Sequence, residues 1–144
     1  MLIETYEKFG HPATLVKEFR HWVVLCRKAQ VTLGSLILIT KDNVTVFSEL
    51  SDEAFAELPI AIRAIEKALK RSFGYEKINY FMLMMADPEV HFHVIPRYSH
   101  DVEFGGLVFK DQSWPGPADL KLLNKVDEEI FSLLIEKLKN EFEK

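Results

Sequence analysis

The chain has 144 residues, of which 48% are hydrophobic and 28% are charged, and its formal net charge is −4. These values are typical of one globular domain with a buried core, and the negative charge argues against a general nucleic-acid-binding protein, which is more often basic. Cys26 is the only cysteine, so the chain can form neither an internal disulfide nor a CxxC zinc site.

The apolar segments of the sequence are short. No segment approaches the roughly 20 apolar residues of a membrane-spanning helix, and residues 1–9 lack the basic start and apolar run of a signal peptide. Together with the single cysteine, these features predict a cytoplasmic protein with no membrane partner.

The first half of the chain predicts strands followed by a long helix. Residues rich in β-branched and aromatic types predict strands over 15–19, 22–26 and 35–40. Ser51 can cap a helix whose apolar residues recur at spacings of three and four, and Gly74 is a natural end for it. Pro59 falls inside this pattern, where it should kink or divide the helix.

The second half predicts two more strands, over 75–86 and 89–97, on either side of an Asp-Pro turn. A glycine-containing turn follows at 103–106, and an amphipathic pattern predicts a helix over 118–142. This order of elements favours an α+β fold with a mainly antiparallel sheet. We expect a single domain over residues 1–144, with a core at about 14–117 and an additional carboxyl-terminal helix at about 118–142.

A strip of polar side chains marks the predicted strand 89–97. Alternate residues of a strand share one face, so that one face of this strand is predicted to carry Glu89, His91, His93, Ile95 and Arg97. Imidazole can act as a nucleophile, acid or base near neutral pH, and a guanidinium can hold phosphate oxygens in two-pronged fashion. The combination suits attack on phosphorus.

A pair of histidines two residues apart on a strand has other interpretations. Paired surface histidines are common, and such pairs also occur in metal sites. A metal would need further ligands, for which Glu89, His100 and Glu103 are the nearest candidates. Their spacing matches no metal motif well.

The segment from Glu89 to Tyr98 resembles the signature of the histidine triad (HIT) family, in which three histidines alternate with apolar residues and Pro-Arg often follows. Every position matches except the first histidine, where this chain has Glu89. The likeness extends from about Trp22 to Pro117. It implies a nucleotide-binding α+β fold with a mainly antiparallel sheet and a long central helix, assembled as a homodimer with a continuous sheet.

The resemblance also implies an activity. Family enzymes cleave or transfer nucleoside monophosphates at the α-phosphorus of nucleotides, including dinucleoside polyphosphates, through a nucleotidyl-histidine intermediate and without a metal or other cofactor. By this correspondence His91 is the nucleophile, His93 helps to hold the phosphate, and Glu89 supports the pair.

Six further positions are expected to contact substrate: Arg97, Leu25, Cys26, Arg27, Met85 and Trp114. Leu25, Cys26 and Arg27 would line the nucleoside pocket, although Cys26 also fits ordinary strand packing. Arg27 lies where many members hold the ribose with an acidic residue, and Met85 lies where many have an asparagine. Trp114 would reach a neighbouring subunit's site or pack as a surface aromatic.

Three functions therefore remain open from the sequence. The first is a HIT-type nucleotide hydrolase or nucleotidyl transferase. The second is a nucleotide-binding module with little or no turnover, because Glu89, Met85 and Ala86 replace residues that assist catalysis in the family. The third is a metal-binding protein built on His91 and His93.

Overall fold

The computed structural model describes residues 2–144 of the chain. Five strands form an antiparallel sheet and two short strands form a hairpin; in chain order they are β1 (Leu15–Glu18), β2 (Trp22–Cys26), β3 (Leu36–Thr40), β4 (Lys77–Phe81), β5 (His91–Arg97), β6 (Val102–Phe104) and β7 (Leu107–Phe109). The helices are α1 (Leu2–Lys8), α2 (Asp52–Phe73) and α3 (Glu128–Phe142). The large sheet has the order β1-β2-β3-β5-β4, which confirms the predicted α+β fold with a mainly antiparallel sheet.

The ends of α2 agree with the sequence prediction. The Ser51 hydroxyl accepts a hydrogen bond from the Ala54 backbone N–H, and Gly74 ends the helix in the left-handed conformation with a φ of 63°. Of the two effects predicted for Pro59, a kink or a division of the helix, the division does not occur, because α2 is continuous through it. Pro59 lies on the exposed face, where water can bind the Phe55 carbonyl that loses its helical donor.

The two faces of the sheet have different coverings. On one face, β2, β3 and β5 direct Trp22, Val24, Leu36, Leu38 and Val94 into the main core with Ile65 and Leu69 of α2. On the other, Val23, Leu25, Ile37 and Ile39 form a smaller cluster against Leu2, Tyr6 and Phe9. The sheet is therefore buried on both sides, and the second face is covered by the amino-terminal segment.

Three predicted elements differ from the observed bounds by two residues or more, and α1 was not predicted. The strand predicted at 75–86 is limited to β4, and the one predicted at 89–97 begins only at His91. The helix predicted at 118–142 begins at Glu128. Residues 2–8, for which no element was predicted, form α1.

The late start of α3 has a clear cause. The Asn124 side chain donates hydrogen bonds to the carbonyls of Val31 and Lys110, and its backbone N–H donates to the Gln30 carbonyl. These bonds fasten the segment to the rest of the fold in a non-helical form. The Asp127 carboxylate then accepts the Ile130 N–H at 2.9 Å and caps the helix. Within residues 2–144, no helix combines the length and apolar character that crossing a membrane requires.

Candidate active site

The two motif histidines lie on an inner strand of the sheet. β5 is hydrogen-bonded to β3 on one side and β4 on the other, and its register places His91 opposite Ile39 and His93 opposite Ile37. Both histidines face the smaller cluster, and their rings are 5.0 Å apart with planes at 77°. They are only 1% and 7% exposed. The sheet thus holds two imidazoles side by side in a largely dry position.

The tautomer of His91 is set by the backbone carbonyl of Glu89. Its Nδ1 lies 2.7 Å from the Glu89 carbonyl oxygen. A carbonyl can only accept a hydrogen bond, so Nδ1 must carry the proton and donate it. The neutral ring then keeps its lone pair on Nε2. This arrangement leaves one defined nitrogen of His91 available as a nucleophile.

Glu89 lies just outside the strand, and its side chain points towards α1, the helix that covers the histidine face. It precedes β5 in a bend, and its carboxylate is buried and accepts a hydrogen bond of 2.6 Å from the Thr5 hydroxyl of α1. Glu89 therefore orients His91 through its backbone carbonyl, a role that any residue could fill. Its carboxylate instead connects the motif to the amino-terminal helix.

His93 is held in its neutral form. Burial, together with the positive charge of Arg27 and the neighbouring His91, lowers the pKa of His93 to about 4. Its buried Nδ1 has no hydrogen-bond partner among residues 2–144. A buried polar atom without a partner costs free energy, and it suggests that a ligand completes this position.

Phe9 and α1 form the cover over the histidines. The Phe9 ring centroid is 6.2 Å from the ring centroids of both His91 and His93, and Lys8 forms an ion pair of 2.9 Å with Asp87 in the turn before β5. Sequence analysis missed these contacts. The spacing of Leu2, Tyr6 and Phe9 at four and three residues is the helical pattern that could have indicated them.

Arg97 does not act as a free anion contact, which corrects the sequence prediction. Its guanidinium donates to both Asp111 carboxylate oxygens, at 2.7 and 3.2 Å, and to Asn79 and the Gly116 carbonyl, both at 2.8 Å. Arg97 and Asp111 are both almost completely buried. These bonds use the donors that would otherwise hold phosphate, so Arg97 anchors the 111–116 loop to the end of β5.

The predicted pocket residues of β2 separate according to their position along the strand. Leu25 lies on the histidine face, whereas Cys26 points to the opposite face and is fully buried in the main core. Cys26 cannot line a pocket beside the histidines, because the sheet lies between them. Arg27 follows on the same face as Leu25 by strand alternation, and its interaction with His93 is consistent with this position.

The two remaining predicted contacts lie on loops. Met85 is 85% exposed in the loop between β4 and β5. Met84 beside it has a φ of 51°, the only positive value of a non-glycine residue within 2–144. Trp114 is half-buried in the loop that Arg97 anchors.

The structure contains no group of three or more His, Cys, Asp or Glu side chains that could hold a metal ion, within residues 2–144. Of the ligands considered from the sequence, Glu89 is engaged with Thr5, and His100 pairs with Glu76 at 3.2 Å on the surface.

The comparisons with known proteins agree with this fold. The model of the HIT domain matches residues 8–100, and the chain therefore belongs to the HIT family. The match begins earlier than the likeness seen in the sequence and includes the end of α1 and Phe9. A search of curated protein sequences gives no significant match.

Solved structures of HIT proteins are similar over nearly the whole chain. A histidine triad protein from Marinobacter aquaeolei VT8 has 25% identity and a TM-score of 0.77, covering 99% of this chain and 96% of that one. One from Sinorhizobium meliloti 1021 has 22% identity and a TM-score of 0.76, covering 98% and 96%. A hypothetical histidine triad nucleotide-binding protein from Sulfolobus tokodaii strain7 has 18% identity and a TM-score of 0.72, covering 90% and 83%.

Proposed function

We propose that the protein is a nucleotide hydrolase or nucleotidyl transferase that cleaves a phosphoanhydride, phosphoramidate or ester at the α-phosphorus, with dinucleoside polyphosphates among its substrates. Such activities are general in the HIT family. The observation that carries the proposal is the hydrogen bond from His91 Nδ1 to the Glu89 carbonyl. It leaves Nε2 unprotonated, which is the form of imidazole that attacks phosphorus.

The first chemical step would make a nucleotidyl-histidine. The Nε2 lone pair of His91 forms a P–N bond while the bond from phosphorus to the leaving group breaks and its electron pair departs with that group. The ring then becomes cationic, since Nδ1 keeps its proton. The hydrogen bond to the Glu89 carbonyl stabilises this charge as it develops.

The second step would release the nucleotide. Water, or another nucleophile in a transfer reaction, forms a new bond to phosphorus as the P–N bond breaks and its electron pair returns to Nε2. The attacking water loses one proton to solvent or to the departed group. His93 lies beside this reaction with a neutral ring and a buried, unpartnered Nδ1, so that it can contact a phosphate oxygen without the cost of burying a second charge.

The second candidate is a nucleotide-binding module with little or no turnover. Its support is the loop before β5, where exposed Met85 and Ala86 offer no polar side chain to assist a leaving group. The two candidates predict the same ligand class and differ only in the rate of bond cleavage.

The test compares wild type with His91→Ala and with His100→Ala, an exposed histidine outside the site. Each protein is incubated with α-labelled dinucleoside polyphosphates and nucleoside phosphoramidates. We expect His91→Ala to retain nucleotide binding and to lose turnover by several orders of magnitude, while His100→Ala behaves as wild type. Acid-labile, base-stable label should remain on the wild type and be absent from His91→Ala.

Two outcomes would contradict the proposed enzymatic activity. Equal turnover by wild type and His91→Ala would refute the nucleophile. Tight nucleotide binding without detectable nucleotide release by the wild type would favour the binding module.

We also propose that the protein forms a homodimer. The support is the position of β4 at the edge of the sheet, where its unpaired backbone groups can extend the sheet into a second copy. The side chains of β4 are mostly half-exposed.

A further inference from the structure

Two nitrogens of the Arg27 guanidinium, Nε and Nη1, are buried and have no hydrogen-bond partner among residues 2–144. Burial also lowers the pKa of Arg27, although an arginine remains charged. A buried cation without a counter-ion is costly for a folded protein. The usual compensation is an anion, and none of the described side chains supplies it.

A third unpartnered atom, Nδ1 of His93, belongs to a neighbouring side chain. The register of the sheet explains why the two groups lie together. Leu25 pairs with Ile37, and Ile37 pairs with His93, so these three form one row across the sheet. The Arg27 N–H donates to Ser35, which places Arg27 in the next row on the same face. His91 occupies the row on the other side of His93.

The spacing of these rows separates Arg27 from the proposed reaction. Each row on one face of a sheet is displaced by about 7 Å along the strands. Arg27 is therefore one row from His93 and two rows from His91. The backbone of Arg27 thus lies on the far side of His93 from His91.

A cavity of about 230 Å³ lies at this end of the site, lined by Lys8, Phe9, Arg27, Lys28 and Ala29. Three of the five lining residues are cationic. Lys8 is paired with Asp87 at 2.9 Å, which leaves the charges of Arg27 and Lys28 for an incoming group. The histidines do not line this cavity themselves, but Phe9, which does, also covers both of their rings. Larger cavities of about 380 and 570 Å³ occur elsewhere, and Arg27 lines neither.

We propose that this cavity binds a second phosphate group of the nucleotide whose first phosphate lies at His91 and His93. This inference rests on the proposed function. Arg27 offers adjacent N–H donors that match two oxygens of a phosphate, and Lys28 adds a point charge. The preferred ligand is thus a nucleotide with at least two phosphates, the second of which is carried either on the sugar or along the polyphosphate chain.

The experiment measures binding of four adenosine probes to the full chain by titration calorimetry. Adenosine 5′-monophosphate has one phosphate. Adenosine 2′,5′-bisphosphate and 3′,5′-bisphosphate place the second on the sugar, and α,β-methylene-ADP places it along the chain in a form that resists cleavage. We expect at least one two-phosphate probe to bind tighter than the monophosphate by about tenfold or more, with an advantage that falls as salt rises. The probe that binds most tightly shows whether the second phosphate is carried on the sugar or along the polyphosphate chain.

The variants test the assignment to Arg27. We call the ratio of the affinities for the best two-phosphate probe and the monophosphate the two-phosphate advantage. Arg27→Gln should reduce this ratio to about threefold or less, since a hydrogen bond to a charged group is lost. Arg27→Lys should keep part of it. The matched control is Arg20→Gln, which alters an exposed arginine outside the cavity and should leave the advantage unchanged. Removing an unpaired buried charge should not lower the Tm of the ligand-free protein.

Several results would overturn the proposal. They are equal affinity of the wild type for one- and two-phosphate probes, no binding of any probe, and an advantage that survives in Arg27→Gln. If Arg27→Gln does not fold, Lys28→Gln takes its place, because that side chain is exposed and its loss should weaken the same advantage. If the wild type carried no nucleotidyl label in the test of the proposed function, the enzymatic activity would be refuted. The preference for two phosphates could still be measured by binding.

Discussion

His93 should make the stability of the protein depend on pH in a defined window. Burial lowers the pKa of His93 from 6.5 to about 4 in the folded protein, while the unfolded chain keeps the ordinary value. Between these two values the unfolded chain binds a proton that the folded protein excludes. The associated stability is fully present above pH 6.5 and is lost as the pH falls towards 4.

The magnitude follows from these two pKa values. At pH 5.5 an unperturbed histidine is about 90% protonated, and the linkage relation gives a loss of about 1.3 kcal/mol relative to pH 7.5. Because solvent still reaches the 7% exposed His93, we discount this to about 1 kcal/mol. The replacement His93→Gln removes the titration while keeping a polar side chain of similar reach.

Urea unfolding, followed by the fluorescence of buried Trp22, would be measured at pH 7.5 and 5.5 for wild type, His93→Gln and the control His100→Gln. The wild type and the control should lose about 1 kcal/mol more than His93→Gln over this interval. The other histidines contribute equally to wild type and His93→Gln, so their effects cancel. An identical loss in these two proteins would refute the depressed pKa and, with it, the neutral His93 of the proposed mechanism.

Two further predictions concern buried polar contacts. Asp111→Ala leaves the Arg97 guanidinium buried without its carboxylate, and the free energy of unfolding in urea should fall by about 3–5 kcal/mol; a change below about 1 kcal/mol would contradict the anchoring role. Thr5→Val removes a donor to the buried Glu89 carboxylate, and the same measurement should show a loss of about 1–3 kcal/mol. The control Thr45→Val, at an exposed position, should have no effect.

The parts of the fold that depend on neighbours in the chain could be predicted from the sequence. Ser51 and Gly74 mark the ends of α2 because capping is satisfied within one turn of helix. The alternation along β5 placed His91 and His93 on one face because side chains of any strand alternate. The motif also predicted the fold and family, since it is specific and its spacing is fixed.

The predictions that failed concern contacts between distant parts of the chain. Arg97 looked like a free cation beside the histidines, but the fold brings Asp111, Asn79 and Gly116 to it, and their oxygens use its donors. The predicted helix at 118–142 starts late because Asn124 is held by Gln30 and Val31, more than ninety residues earlier in the chain. The sequence around Arg97 or Asn124 contains no pattern that identifies these distant partners.

The sequence by itself therefore determined the family, the presence of the sheet and the shared face of the two histidines, because each follows from a pattern among residues that are close together in the chain. Only the tertiary structure decided what surrounds them: that Glu89 orients His91 by its backbone carbonyl, that α1 and Phe9 cover the site, and that two guanidinium nitrogens of Arg27 are buried without a partner among the described residues. The physical reason is that burial and hydrogen-bond satisfaction depend on which segments fold against each other. Those pairings are fixed by the whole chain, since each segment can bury its apolar face only against the others.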